Sequence, residues 1–159
     1  MPIINTIDGD LLGLASNKKY TAIAHGCNTF ANFGAGIAAT IKKLYPKAYE
    51  VDIEADKQGT NTLGNISICS DYAFDIINCY TQDSIGWNKM HNCTPVCYTA
   101  IYRSFLKINQ DFKNVPNALI GIPSLIGCGL AKGDPTVVRA LINLATPDVD
   151  IEEVVFNKV

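Results

Sequence analysis

The sequence lacks most of the features that would assign it to a common class. No apolar run in its 159 residues reaches the roughly 20 needed to span a bilayer, and the opening MPIINTIDGDLL does not have the layout of a secretory leader. No membrane partner is therefore expected. Charge of one sign is missing too: 13 Lys and Arg stand against 15 Asp and Glu, a net charge of −2, which leaves no broad basic face for nucleic acid. There is no internal repeat, low-complexity tract or linker, so a single domain over residues 1–159 is expected. Cysteine is present but scattered, at positions 27, 69, 79, 93, 97 and 128, with two in strand-like runs where a thiol acts as a small hydrophobe. That usage fits a reduced, cytoplasmic protein (host cytoplasm for a viral one) and not a disulfide framework. Cys93 and Cys97 lie four apart with His91 nearby, but no second ligand pair exists for a closed zinc site, which needs four protein ligands. Neither a metal nor a cofactor is expected, and a monomer is.

What remains is a globular composition, 48% hydrophobic, in a chain long enough to bury a core. Short runs rich in Ile, Val and aromatics predict strands at Ile3–Ile7, Thr21–His25, Asn65–Cys69, Phe74–Tyr80, Ala118–Pro123 and Glu152–Phe156. Helical patterns lie between them. Ile37, Ala38, Ile41, Leu44 and Tyr45 share one helical face, and Pro46 then interrupts the helix and starts another. A third helix is predicted from about Pro95 to Ile108, and a fourth carries Val137, Val138, Leu141, Ile142 and Ala145 after Asp134-Pro135. Strands alternating with helices predict a three-layer α/β/α sandwich.

In such sheets ligands bind beyond the carboxyl ends of the strands. Two glycine-rich segments sit at that edge, HGCNTFANFGAG after the second predicted strand and PSLIGCGLAKGD after the fifth, and each feeds a helix. Helix N-termini present unpaired N–H groups to anions, and glycines allow a backbone to approach a diphosphate closely. The pair suits a ligand with two phosphates. Neither GxGxxG nor GxxxxGK[ST] occurs, so the usual nucleotide-binding signatures do not apply.

The opening loop HGCNTFANFGAGIA, the YPKAY that follows, the later QGTNTLGNISI and the second loop IPSLIGCGLAKGD occur in an order and spacing that resemble a macro domain. The resemblance runs from Asp8 to at least Ile142. It is closest to the compact branch holding yeast-type ADP-ribose-1″-phosphate phosphatases and related phage and bacterial single-domain proteins. It implies a mixed central sheet and an ADP-ribose pocket. Gly9 and Asp10, in GDLL, match the element whose carboxylate accepts from the adenine amino group. Asn28, Gly34, Ala35, Gly36 and Ile37 match the loop around the distal ribose and one phosphate. The backbone of Ser124, Leu125, Ile126, Gly127, Cys128, Gly129 and Leu130 matches the diphosphate cradle. Phe156 is a candidate to stack on adenine, with a core aromatic at a strand end as the alternative.

The phosphatase branch carries a histidine at the position of His25, as nucleophile or as general acid. Asn28 can donate to a phosphoryl or ribose oxygen without adding negative charge. Asp134 is a candidate to orient a water or His25, or else it simply caps a helix ahead of Pro135. His25 has its own structural alternative, a strand-end residue bonded to backbone. Cys27 lacks the CX5R phosphate cradle of cysteine phosphatases and fills space under the loop. A related branch removes ADP-ribose from protein carboxylates with a lysine and an aspartate; Gln82 and Ala131 stand at those positions, and neither supplies that chemistry. Pro135 stands where the family often has tryptophan. The resemblance therefore implies a metal-independent hydrolysis of ADP-ribose 1″-phosphate. A binding-only module and a lysine-independent de-ADP-ribosylating hydrolase are the rivals.

Overall fold

The computed structural model describes residues 4–83, 97–124, 126 and 133–156. Six strands, β1 (Asn5–Gly9), β2 (Ala22–Asn28), β3 (Ile66–Cys69), β4 (Asp75–Gln82), β5 (Leu119–Pro123) and β6 (Asp150–Phe156), form one sheet in the order β1-β6-β5-β2-β4-β3. All neighbours are parallel except β3, which runs antiparallel to β4. The helices are α1 (Leu11–Ser16), α2 (Gly36–Leu44), α3 (Pro46–Gln58), α4 (Tyr98–Phe112) and α5 (Pro135–Ala145).

Side-chain alternation along the strands divides the core into two layers. Ala22, Ala24, Ile77, Ile120, Ile122 and Ile151 pack with Ile101, Phe105 and Ile108 of α4 and Val138 and Ile142 of α5. Ile23, Cys27, Ile76, Tyr80 and Val154 face the other way, against Leu11 and Leu12 of α1, Ile41 of α2 and Ala48 and Ala55 of α3. The α/β/α sandwich with a mixed sheet is thus the observed architecture, and every predicted strand is present within three residues of its expected bounds. Pro46 opens α3, as proline at a first helical position should, and Gly59 closes it at φ 70°. The predicted start of α4 at Pro95 falls outside the described residues. No described helix is long and apolar enough to cross a membrane.

α1 was not predicted, and it is seated closely on the sheet over Gly121. It fits because Gly121 has no side chain. A Cβ there would lie 2.7 Å from Leu11 Cδ1 and 2.8 Å from Tyr20 Cε2. Tyr20 in turn donates to Glu152 Oε1 at 2.7 Å, and Lys19 Nζ approaches the same oxygen at 2.8 Å. Burial alone would raise the Glu152 carboxyl, but hydrogen bonds from Lys19, Tyr20 and Asn5 outweigh it and hold the group below the ordinary range. A Gly121→Ala substitution should therefore lower stability by about 1–3 kcal/mol, the range for overpacking a filled core. Urea denaturation of the two proteins checks this; an unchanged midpoint would mean that α1 shifts freely.

Candidate functional site

The carboxyl ends of β1 and β6 form one corner of the site. Gly9 pairs with Phe156 in the parallel register, so the last residues of the two strands lie side by side. Asp10 follows as the N-cap of α1, in extended conformation, yet its carboxylate makes no capping hydrogen bond. It lies back over the first turn, where a Cβ on Gly13 would come within 3.1 Å of Oδ2. Phe156 is 63% exposed, so the core-aromatic alternative is set aside. An uncommitted carboxylate beside an exposed ring can read the edge and the face of a planar base.

The loop from β2 to α2 is built around Asn28. Its Oδ1 accepts from the Phe30 amide at 2.9 Å and its Nδ2 donates to the Asn32 carbonyl at 2.9 Å, so the side chain folds the turn that it begins. Phe33 is buried and holds the loop down, edge-on to His25 with ring centroids 5.2 Å apart, and against Tyr49 at 5.0 Å. The Tyr49 hydroxyl donates to the Ala31 carbonyl at 2.9 Å. Gly34, Ala35 and Gly36 are left exposed, with Gly36 at φ 59°, a backbone that favours glycine. Ala35 is the N-cap of α2 and supplies no side-chain cap, so the first-turn amides of this nine-residue helix stay available to an anion. Ile37 packs back against the core.

His25 sits three residues before the end of β2 and is fully buried on the face covered by α1, α2 and α3. Its Nε2 lies 2.7 Å from Asn78 Oδ1, on the neighbouring strand at the same register position. Burial pushes its pKa down from 6.5 to about 4, against the smaller upward pull of Asn78. The imidazole is neutral at physiological pH. Cys27 Sγ stands 3.8 Å from His25 Nδ1, and burial pushes that thiol well above its ordinary value, so it is no thiolate nucleophile.

On the other side of the edge, the Ser124 amide is committed to the Val154 carbonyl at 2.8 Å and Ile126 is buried against the α4–α5 layer. Ser124 therefore offers no N–H to a diphosphate, a correction to its expected place in the cradle. Leu125, Gly127, Cys128, Gly129, Leu130 and Ala131 lie outside the described residues, as do His91 and Cys93. Asp134 accepts from the Thr136 amide at 2.9 Å, the N-cap geometry, while its own amide donates to the Tyr98 hydroxyl. It opens α5, on the sheet face opposite His25. Asp134 therefore does not orient His25.

No family model matches the chain. It is 29% identical over 156 residues, 94% of each chain, to an uncharacterized 17.5 kDa protein from the tk-vs intergenic region of Enterobacteria phage T4. It is 37% identical over 65 residues to an ADP-ribose 1″-phosphate phosphatase of Meyerozyma guilliermondii, a match covering 40% of this chain and 37% of that one. The macrodomain of Mycobacterium tuberculosis DarG superposes over 100% of both chains with a TM-score of 0.76 at 22% identity. The chain has the macrodomain fold. Thermosipho africanus DarTG, solved in complex with ADP-ribose, shares this macrodomain fold at a TM-score of 0.74 and 15% identity, over 98% of this chain and 42% of that one.

At the carboxyl-end edge of the sheet the structure gathers Gly9, Asp10 and Phe156 at one corner and Asn28, Gly34, Ala35, Gly36 and Ile37 at the loop into α2. It does not assemble His25, Asn28 and Asp134 into one catalytic group. Sequence reading missed the polar side chains beneath the loop: Ser67, Asn78, Tyr80 and Asp52, of which Asn78, Tyr80 and Asp52 are buried. An asparagine in the middle of the apolar strand DIINCYT, and an aspartate four residues after Ala48 on the buried face of α3, were the available signals. The depressed His25 value has a stability consequence. The unfolded chain takes up that proton first as pH falls, so the site's contribution is complete above pH 6.5 and declines toward pH 4, by roughly 3 kcal/mol in all. Urea midpoints over that window should fall for the wild type and flatten in His25→Gln. An equal slope in both would place the titration elsewhere.

Proposed function

We propose that this macrodomain binds ADP-ribose across the carboxyl ends of its parallel strands and hydrolyses the phosphomonoester of ADP-ribose 1″-phosphate. The observation that carries the binding is the corner of Asp10 and Phe156: the ring takes one face of adenine while the carboxylate accepts from its amino group. The uncapped start of α2 then receives phosphate, with Gly34, Ala35 and Gly36 leaving the backbone open to it. The hydrolytic part is supported by the fungal relatives named as ADP-ribose 1″-phosphate phosphatases, of whose lengths the matches cover 37%, 19% and 54%.

In that reaction the residues of this chain orient and polarise. Amides at the α2 N-terminus draw charge from the phosphoryl oxygens, and Asn28 holds the turn that presents them. His25 is neutral, so proton traffic through it begins with uptake and not with release. Binding without turnover is the second reading. The sealed ring of His25, with Asp134 on the opposite face of the sheet, favours it.

Titration calorimetry should show ADP-ribose binding that weakens by about 1.5–3 kcal/mol in Asp10→Ala, the range of a hydrogen bond to a charged group. Phe156→Ala should lose about 1–3 kcal/mol, the range of a base stacked on an aromatic side chain. Equal affinity for ADP-ribose and GDP-ribose would remove Asp10 from this role. Phosphate release from ADP-ribose 1″-phosphate in the presence of EDTA supports the hydrolase; tight binding with no release leaves the binding module.

A further inference from the structure

We propose that Asn78 is a positioning residue that fixes His25 as the Nε2–H tautomer, itself held by a one-way chain of hydrogen bonds that ends on the buried carboxylate of Asp52. His25, Asn78 and Ser67 stand side by side across β2, β4 and β3, paired in register on one face of the sheet. The direction of every bond between them follows from one fixed acceptor. Asn78 Nδ2 lies 3.1 Å from the Ala48 carbonyl oxygen, which can only accept, so the amide cannot be turned over. The second hydrogen of Nδ2 goes to Ser67 Oγ, also at 3.1 Å. Asn78 Oδ1 is therefore the acceptor facing His25, and Nε2, 2.7 Å away, must carry the proton.

The chain continues without a break. The Ser67 and Tyr80 hydroxyl oxygens are 2.8 Å apart, and the Tyr80 hydroxyl donates to Asp52 Oδ1 at 2.8 Å. With its proton spent on Asp52, Tyr80 accepts from Ser67, and Ser67 in turn accepts from Asn78. Every donor from His25 onward thus points toward Asp52. Asp52 is fully buried, and its Oδ2 has no partner among the described residues. A buried polar chain of this kind is costly unless satisfied, and satisfied it sets one geometry. The neutral imidazole then carries its lone pair on Nδ1; the Cys27 sulfur lies near both ring nitrogens, 3.6 Å from Nε2 and 3.8 Å from Nδ1. For the hydrolytic reading this makes Nδ1 the atom that takes up a proton; only that consequence rests on the proposed function.

The ionisable side chains on this face include Cys27 of β2, Cys69 of β3, Tyr80 of β4, Tyr49, Asp52 and Asp56 of α3, Tyr45 and Tyr72 beside them, and Tyr20 with Glu152 and Lys19 under α1, with Lys42 of α2 over the Tyr49 ring at 4.4 Å. The chain has two histidines, His25 and His91, so 15N-histidine NMR of a His91→Gln background observes His25 alone. At neutral pH the proton should be found on Nε2 and Nδ1 should give the signal of an unprotonated nitrogen. Asn78→Ala should mix the two tautomers. Asn78→Asp, similar in size, should raise the pH at which His25 titrates by about 1–3 pH units through the new carboxylate beside it. A proton on Nδ1 in the His91→Gln background overturns the proposal. So does a single unchanged tautomer in folded Asn78→Ala, or an unchanged titration in Asn78→Asp. A protein that releases no phosphate but shows the Nε2–H form loses the hydrolytic reading and keeps this assignment.

Discussion

β6 enters the sheet between β1 and β5 and carries two carboxylates, Glu152 and Glu153, into it. Both have to be satisfied for the strand to lie there. Glu152 takes hydrogen bonds from Tyr20 and Asn5 and an ion pair from Lys19 on one face; Glu153 takes Arg139 at 2.6 Å and the Thr6 hydroxyl on the other. Because the two groups point to opposite faces, a one-residue slip would exchange their partners, and the register of β6 is fixed. That register sets Phe156 beside Gly9 and so beside Asp10. The corner proposed for adenine thus follows from how two buried charges are neutralised on β6 below it.

The loop assigned to phosphate depends on a second buried polar arrangement. β2 ends in a turn folded by Asn28 and held by Phe33, and Phe33 rests edge-on against His25. The imidazole is held from β4 and β3 and, through Tyr80, from α3. A histidine three residues from the end of β2 thereby acts first as a support for the loop above it. Chemistry at the same ring is compatible with this only through the nitrogen that the support leaves unprotonated.

The strands were legible because each is a short, β-rich run bounded by turn residues, and the α2–α3 junction because Pro46 marks it. α1 was not, since six residues, LLGLAS, are too few to establish a period. Its position depends on Gly121, more than a hundred residues away. The site was half legible. Asp10 directly follows β1, and Gly34, Ala35 and Gly36 lie between β2 and the first turn of α2, the chain positions expected of them; their role at a ligand is part of the proposal. What the pattern could not give was facing: His25 and Asp134 belong to opposite faces of the sheet, which only the strand order and alternation decide. Nor could it tell that the Ser124 amide is spent on β6, because that bond closes between segments thirty residues apart. Asp134 was legible in part, as its place before Pro135 already fitted a helix cap.

A crystal structure of this chain with ADP-ribose tests the central claim most directly. The account predicts adenine stacked on Phe156 with its amino group at the Asp10 carboxylate, and a phosphate at the amides that open α2. Adenine bound away from the β1–β6 corner, with Asp10 and Phe156 untouched, would contradict it.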